Sequence, residues 1–184
     1  MSVRLYLVRH GEAASSWGNI PDPGLSDIGR AQATDAAEEI EKFTGPIDIV
    51  TSPLLRAQET AMPLEEKWGR KANIFSAVSE IPSNHIAFEQ RKKWLGEVMA
   101  GNWSLQSSIL RDWRDGILEM IKCREEDTVI FSHFMVINSI VGYIAGSEKM
   151  VNFRPDNGSI TQISSENGQL KLIEQGREAI TVVE

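Results

Sequence analysis

One cysteine, three histidines and two tyrosines stand in 184 residues. A lone Cys123 leaves no internal disulfide and no cysteine-based zinc site. It falls in a helix-like stretch and reads as a packing thiol. With so few histidines and no second ligand pattern, no metal and no cofactor are expected. No apolar segment approaches the roughly 18 residues that a membrane span requires. The basic-then-apolar leader of an exported protein is absent too, because Arg4 interrupts a run that is already too short. A cytoplasmic location is therefore the default expectation. Positive charge is in deficit: 19 Lys and Arg face 26 Asp and Glu, for a formal net charge of −7. That argues against a nucleic-acid or membrane-surface binder, which would present a basic face.

What is present fits an ordinary soluble domain, with 41% apolar and 24% charged residues. No repeat, linker or low-complexity stretch divides it, so residues 1–184 read as one domain. Apolar runs at Val3–Val8, Ile47–Val50, Ala72–Phe75 and Thr128–Phe131 alternate with helical patterns. Ile28, Ala31, Ala36, Ile40 and Phe43 mark the first helix, with Ser26 as its N-cap. Ser52-Pro53 reads as the start of a second, Ser as cap and Pro at its first position. Pro63 should kink or divide that helix. One or two helices fall between His85 and Trp103, another between Leu105 and Cys123, and a last one from Val136 to Gly146. At the end, Asn167-Gly168 between two alternating runs signals a hairpin. The expectation is an α/β fold: a three-layer sandwich, its mainly parallel sheet covered by helices on both faces, with an antiparallel edge hairpin near the C-terminus.

Three strands end in charged or polar tails. The first stops at Arg9-His10-Gly11, where glycine permits an immediate turn. The second leads through Ser52 to Arg56, and the fourth stops at Ser132-His133. Carboxyl ends of parallel strands share one edge, where ligands bind. Two guanidinium forks, two imidazoles and two helix N-termini at that edge suit a dianion such as phosphate.

Leu7-Val8-Arg9-His10-Gly11-Glu12 resembles the signature of the histidine phosphatase superfamily, the phosphoglycerate mutase-like fold. Leu25-Ser26, Gly29 and Gln32-Ala33 resemble its next helix, and Ser52 to Ala61 its second motif. Phe131-Ser132-His133 resembles its second-histidine motif, and Asn157 to Thr161 its closing strand. The resemblance implies that His10 is the nucleophile of a phosphohistidine route. It implies that Arg9, Arg56 and His133 bind phosphoryl oxygens, and that Glu80 is the proton donor. Ala13 and Ser16 replace the usual Thr and Asn, with Ser16 still able to hydrogen-bond phosphate, and Phe134 replaces a glycine. His85, near Glu80, is a secondary candidate for substrate contact, and Glu12 for positioning water.

The function implied is a metal-independent phosphatase acting on a small phosphorylated metabolite, with a phosphoprotein ranked second. Two alternatives stand beside it. One is phosphoglycerate mutase-type transfer, disfavoured by the little room 184 residues leave for an enclosing insertion. The other is a non-catalytic phosphate-ligand module, disfavoured by the intact polar set. The segments 13–24 and 81–104, least like the family, are expected to set the substrate.

Overall fold

The computed structural model describes residues 2–15 and 21–179. Strand β1, Ser2–Arg9, alternates its side chains between two cores. Val3, Leu5 and Leu7 enter one, Tyr6 and Val8 the other. Beyond it follow α1 (Asp27–Phe43), β2 (Asp48–Thr51), α2 (Leu55–Trp68) and β3 (Asn73–Ile74). Then come α3 (Arg91–Met99), α4 (Ser108–Lys122), β4 (Thr128–Ser132), α5 (Phe134–Ile144), β5 (Ile160–Glu166) and β6 (Gln169–Glu174). Among the described residues the strands form one sheet in the order β3-β2-β4-β1-β5-β6. The β3, β2, β4 and β1 neighbours pair in parallel, and β5 and β6 add antiparallel pairs.

Helices α4 and α5 cover the Val3-Leu5-Leu7 face through Ile117, Ile121, Val136 and Ile140. Helices α1 and α2 cover the opposite face through Ala36, Ala37, Ile40, Ala61 and Leu64. The sandwich is thus three-layered with an antiparallel hairpin at one edge, as the alternation of elements predicts. Asn167 and Gly168 turn that hairpin with φ of 51° and 76°, the left-handed pair such a turn requires.

Five local expectations are corrected. The apolar face of α1 is Gly29, Ala33, Ala36, Ala37 and Ile40, whereas Ile28 and Phe43 are exposed. Small residues win because α1 lies hard against the turn after β1. A Cβ on Gly29 would stand 2.1 Å from the Glu12 carbonyl oxygen, and one on Gly11 2.4 Å from that of Gly29. Gly11 is therefore required by close approach, not by a left-handed backbone. Helix α2 begins at Leu55 with Leu54 as cap, and the Ser52 hydroxyl instead meets His133. The same helix runs undivided through Pro63, since burial of Ala61 and Leu64 against the sheet holds both its halves. Cys123 is exposed at the end of α4, where the chain leaves the core. The first helix foreseen after His85 is a single 3-10 turn, Phe88–Gln90, leading into α3.

Candidate active site

The turn after β1 is tied down from several directions. The His10 N–H donates to the Ser132 carbonyl of β4 at 3.0 Å, which carries the parallel ladder one residue past the strand. Asn157 Nδ2 donates to the His10 carbonyl at 2.9 Å. Thr60, one turn after Arg56 on α2, donates its hydroxyl to the Arg56 carbonyl and accepts the Gly11 N–H at 3.0 Å. The backbone at His10 and Gly11 is thereby held from three separate parts of the chain.

Its tautomer follows from one contact. His10 Nδ1 lies 2.7 Å from the Gly11 carbonyl, which can only accept. The proton sits on Nδ1, and Nε2 keeps its lone pair. Arg56 Nε donates to that nitrogen at 3.2 Å. His133 stands close by, with ring centroids 5.2 Å apart. Its Nε2 is 2.8 Å from Ser52 Oγ. That hydroxyl already accepts the Leu54 N–H, and Nε2 is the acceptor within its reach. Donation to Nε2 leaves the ring proton on Nδ1, which is buried and has no partner among the described residues. Arg9 Nε is buried and unpartnered in the same way, while Arg9 Nη1 donates to the Pro155 carbonyl at 2.8 Å.

Electrostatics sort these groups. Burial, reinforced by Arg56 and Arg9, pushes His10 down to about 3. Burial and the neighbouring His10 push His133 well below the usual imidazole range. Burial lowers both arginines, but from so high a starting value that they stay charged. Glu80 moves the other way: withdrawal from water raises its carboxyl, against the Ile81 N–H that its Oε1 accepts at 2.9 Å and against the pull of Arg56 and Arg9. Two neutral imidazoles, two guanidinium ions and a carboxyl biased toward its protonated form therefore share one place.

A cavity of about 570 Å³ opens there, lined by Arg9, His10, Arg56, Glu80, Asn157 and Glu12 on its polar side; His133, against His10, is not part of the lining. Leu95 and Met99 of α3, with Phe134 and Met135 of α5, form an apolar wall. The structure brings Arg9, His10, Arg56, His133 and Glu80 together. Ser16 lies outside the described residues, although its neighbour Ser15 lines the cavity. Phe134 faces the cavity and lies 5.3 Å below the Arg9 guanidinium. His85 does not join the lining; it is exposed and packs edge-on against Trp94. Glu12 lines the cavity and accepts from the Ser26 hydroxyl at 2.7 Å. Among the described residues, no group of three or more His, Cys, Asp or Glu side chains gathers in a way that could hold a metal ion.

Sequence reasoning missed Asp22, Thr60 and Asn157. The Asp22 carboxylate accepts the Leu55 N–H at the start of α2 and lies 3.8 Å from Arg56 Nη1, so a residue of the loop before α1 steadies the arginine. Of the three, only Thr60 had a local signal, its spacing of four from Arg56.

The sequence model of the histidine phosphatase superfamily (branch 1) matches residues 5–177. The chain belongs to that superfamily. Among histidine phosphatase relatives, a glucosyl-3-phosphoglycerate phosphatase of Mycolicibacterium vanbaalenii is 40% identical over 81 residues. That stretch is 42% of this chain and 36% of the relative, so the match spans about a third of that protein. A 2,3-bisphosphoglycerate-dependent phosphoglycerate mutase of Nitrobacter hamburgensis is 30% identical over 168 residues, 77% of this chain and 81% of the mutase. In fold, the chain is similar to the crystal structure of phosphoserine phosphatase from Entamoeba histolytica in complex with 3-phosphoglyceric acid. There the TM-score is 0.75 at 20% identity, over 95% of this chain and 97% of that one. Among the described residues no helix is long and apolar enough to cross a membrane.

The depressed histidines make stability depend on pH in a definite sense. Below pH 6.5 an unfolded imidazole binds a proton that folded His10 refuses until about pH 3. The unfolded state then holds more protons, so stability is present above pH 6.5 and is lost as pH falls toward 3. His133 acts in the same sense. Glu80, raised in the fold, acts oppositely from pH 4.5 upward, because there the folded state holds the extra proton. Two groups outweigh one, so urea unfolding at about pH 5 should show a lower stability than at about pH 7. The slope is on the order of 1.4 kcal/mol per pH unit per proton. His10→Asn should flatten that slope; an unchanged slope would show that His10 titrates normally.

Proposed function

We propose that this protein is a metal-independent phosphatase that hydrolyses a small phosphomonoester through a phosphohistidine on His10. The observation that carries the reading is the pairing of a neutral, cavity-lining His10, its lone pair on Nε2, with the guanidinium groups of Arg9 and Arg56. A phosphoryl group entering there gives Arg56 Nε, Arg9 Nε and His133 Nδ1 the acceptors they lack or hold only weakly. The interaction of Arg56 with Nε2 is then exchanged for one with a phosphoryl oxygen, which frees the lone pair.

In the first step Nε2 forms a bond to phosphorus while the bond to the leaving oxygen breaks. That oxygen takes its electron pair and a proton from Glu80, and departs as an alcohol. Charge spread over the transferring group is balanced by Arg9, Arg56 and His133, positioned before the reaction begins. In the second step the Glu80 carboxylate takes a proton from water. The hydroxide oxygen bonds to phosphorus, the P–N bond breaks, and its electrons return to Nε2. Inorganic phosphate leaves and both residues regain their starting protonation. Each charge in this cycle is met by a side chain of the site, so no metal is required.

The test is phosphate release over a panel of phosphometabolites, with and without 2,3-bisphosphoglycerate and with and without a chelator. Release that is indifferent to both additions is expected. A requirement for the bisphosphate, with isomerised product and no free phosphate, would favour the mutase reading that the Nitrobacter hamburgensis relative suggests. Binding without turnover of any member would leave a phosphate-ligand module. Loss on chelation, restored by a divalent ion, would overturn the metal-independent route.

A further inference from the structure

We infer that the cavity selects phosphomonoesters that carry an apolar portion and a second anionic group, whose counter-charge is Arg154. The inference names a substrate class for the phosphatase site above and rests on that reading.

The cavity lining holds a third arginine besides the two set to meet a phosphoryl group. Arg9 and Arg56 already supply two guanidinium forks to a dianion. Arg154 also lines the cavity, and among the described residues its guanidinium makes no ion pair and no hydrogen bond. Neither lining carboxylate, Glu12 or Glu80, stands within ion-pair distance of it among the described residues.

The residue is exposed, and its backbone is held in place. Its N–H donates to Glu178 Oε1 at 3.2 Å, and its carbonyl accepts the Ala179 N–H at 2.9 Å. The next residue, Pro155, accepts from Arg9 Nη1 and bridges to Glu178. Arg154 therefore stands one residue from the carbonyl that fixes a phosphate-facing arginine, on a segment paired along its other side.

The same cavity carries an apolar wall of Leu95, Met99, Phe134 and Met135. Phe134 is where the family pattern has glycine, so this chain puts an aromatic ring where others leave space. The volume of about 570 Å³ falls within the range of small-molecule sites and far exceeds a phosphoryl group. A short carbon chain joining two anionic ends would fill it.

The test uses ω-phosphooxyalkanoates of increasing length beside their methyl esters. A parallel pair, an α,ω-alkanediol bisphosphate and its monophosphate, separates a second phosphate from a carboxylate. At the best length the acid should exceed its ester in kcat/KM by about tenfold, the effect of one charge-assisted pair. Arg154→Gln should bring that ratio close to one, and Arg154→Lys should keep most of it. Because the ester is measured in the same variant, damage to the phosphate end cancels from the ratio. A gain confined to the bisphosphate would name phosphate as the second anion. A ratio that Arg154→Gln leaves unchanged, or a ratio at or below one at every length, would overturn the inference while leaving the phosphatase reading intact. Failure to hydrolyse any ester, any acid or p-nitrophenyl phosphate would overturn both.

Discussion

His10→Ala is expected to lose turnover by on the order of 10⁴-fold or more with every phosphomonoester, and never to carry a labelled phosphoryl group. The size follows from what the substitution removes. Arg9, Arg56 and His133 would still gather the phosphoryl oxygens, so KM should move far less than kcat. The covalent step would have no nucleophile, and water would have to attack without a preceding intermediate. His10 is the one of the two facing histidines suited to attack. His10 lines the cavity with its Nδ1 proton committed to the Gly11 carbonyl and its Nε2 accepting only from Arg56, a group a phosphoryl oxygen can take over, whereas His133 is outside the lining, has Nε2 occupied by Ser52 and is wholly buried. Rapid quench with a ³²P-labelled monoester should give an acid-labile, alkali-stable adduct in the wild type and none in the variant. Label that survives in His10→Ala and vanishes in His133→Ala would move the nucleophile to the other ring.

That site was legible because its charged residues announce themselves where apolar runs stop. Val8 gives way to Arg9-His10, and Phe131 to Ser132-His133; in a parallel sheet two such stops must fall on the same edge. The layers were legible for the same reason, since β1 and β4 are apolar on both sides and need helices on both faces. What escaped was set by distance in space rather than by pattern. Ser52 looks like a cap in its own neighbourhood, yet its hydroxyl serves a histidine 81 residues away. Asp22 and Asn157 hold Arg56 and the His10 backbone through contacts with no local periodicity. The helix face of α1 was misread because hydropathy rewards Ile28 and Phe43, while close approach to the turn rewards Gly29 and Ala33. The apolar wall and Arg154 come from α3, α5 and the segment before β5, parts of the chain with no shared motif.

Glu80→Gln should divide substrates by their leaving group. An alkoxide leaves poorly, so a proton delivered to it is worth roughly 10²–10⁴ in rate. A nitrophenolate is stable near neutral pH and needs little help. The variant should therefore form phosphoenzyme slowly from an alkyl phosphate and at nearly the wild-type rate from p-nitrophenyl phosphate. Breakdown is a different matter, because the amide cannot take a proton from water. With the activated substrate, labelled enzyme should accumulate after a burst, and steady-state turnover should fall although the first step is spared. The pH profile carries the same assignment. His10 stays neutral down to about pH 3 and gives no acid limb in the working range. The raised carboxyl of Glu80 keeps its proton to higher pH than an ordinary glutamate, so alkyl phosphates should show an alkaline limb where that proton is lost. In single turnovers the limb should disappear for p-nitrophenyl phosphate and for Glu80→Gln. Equal and near-normal rates for alkyl and nitrophenyl phosphates in the variant would remove Glu80 from the proton-donor role. Glu12, the other carboxylate that lines the cavity, would then be the residue to substitute next.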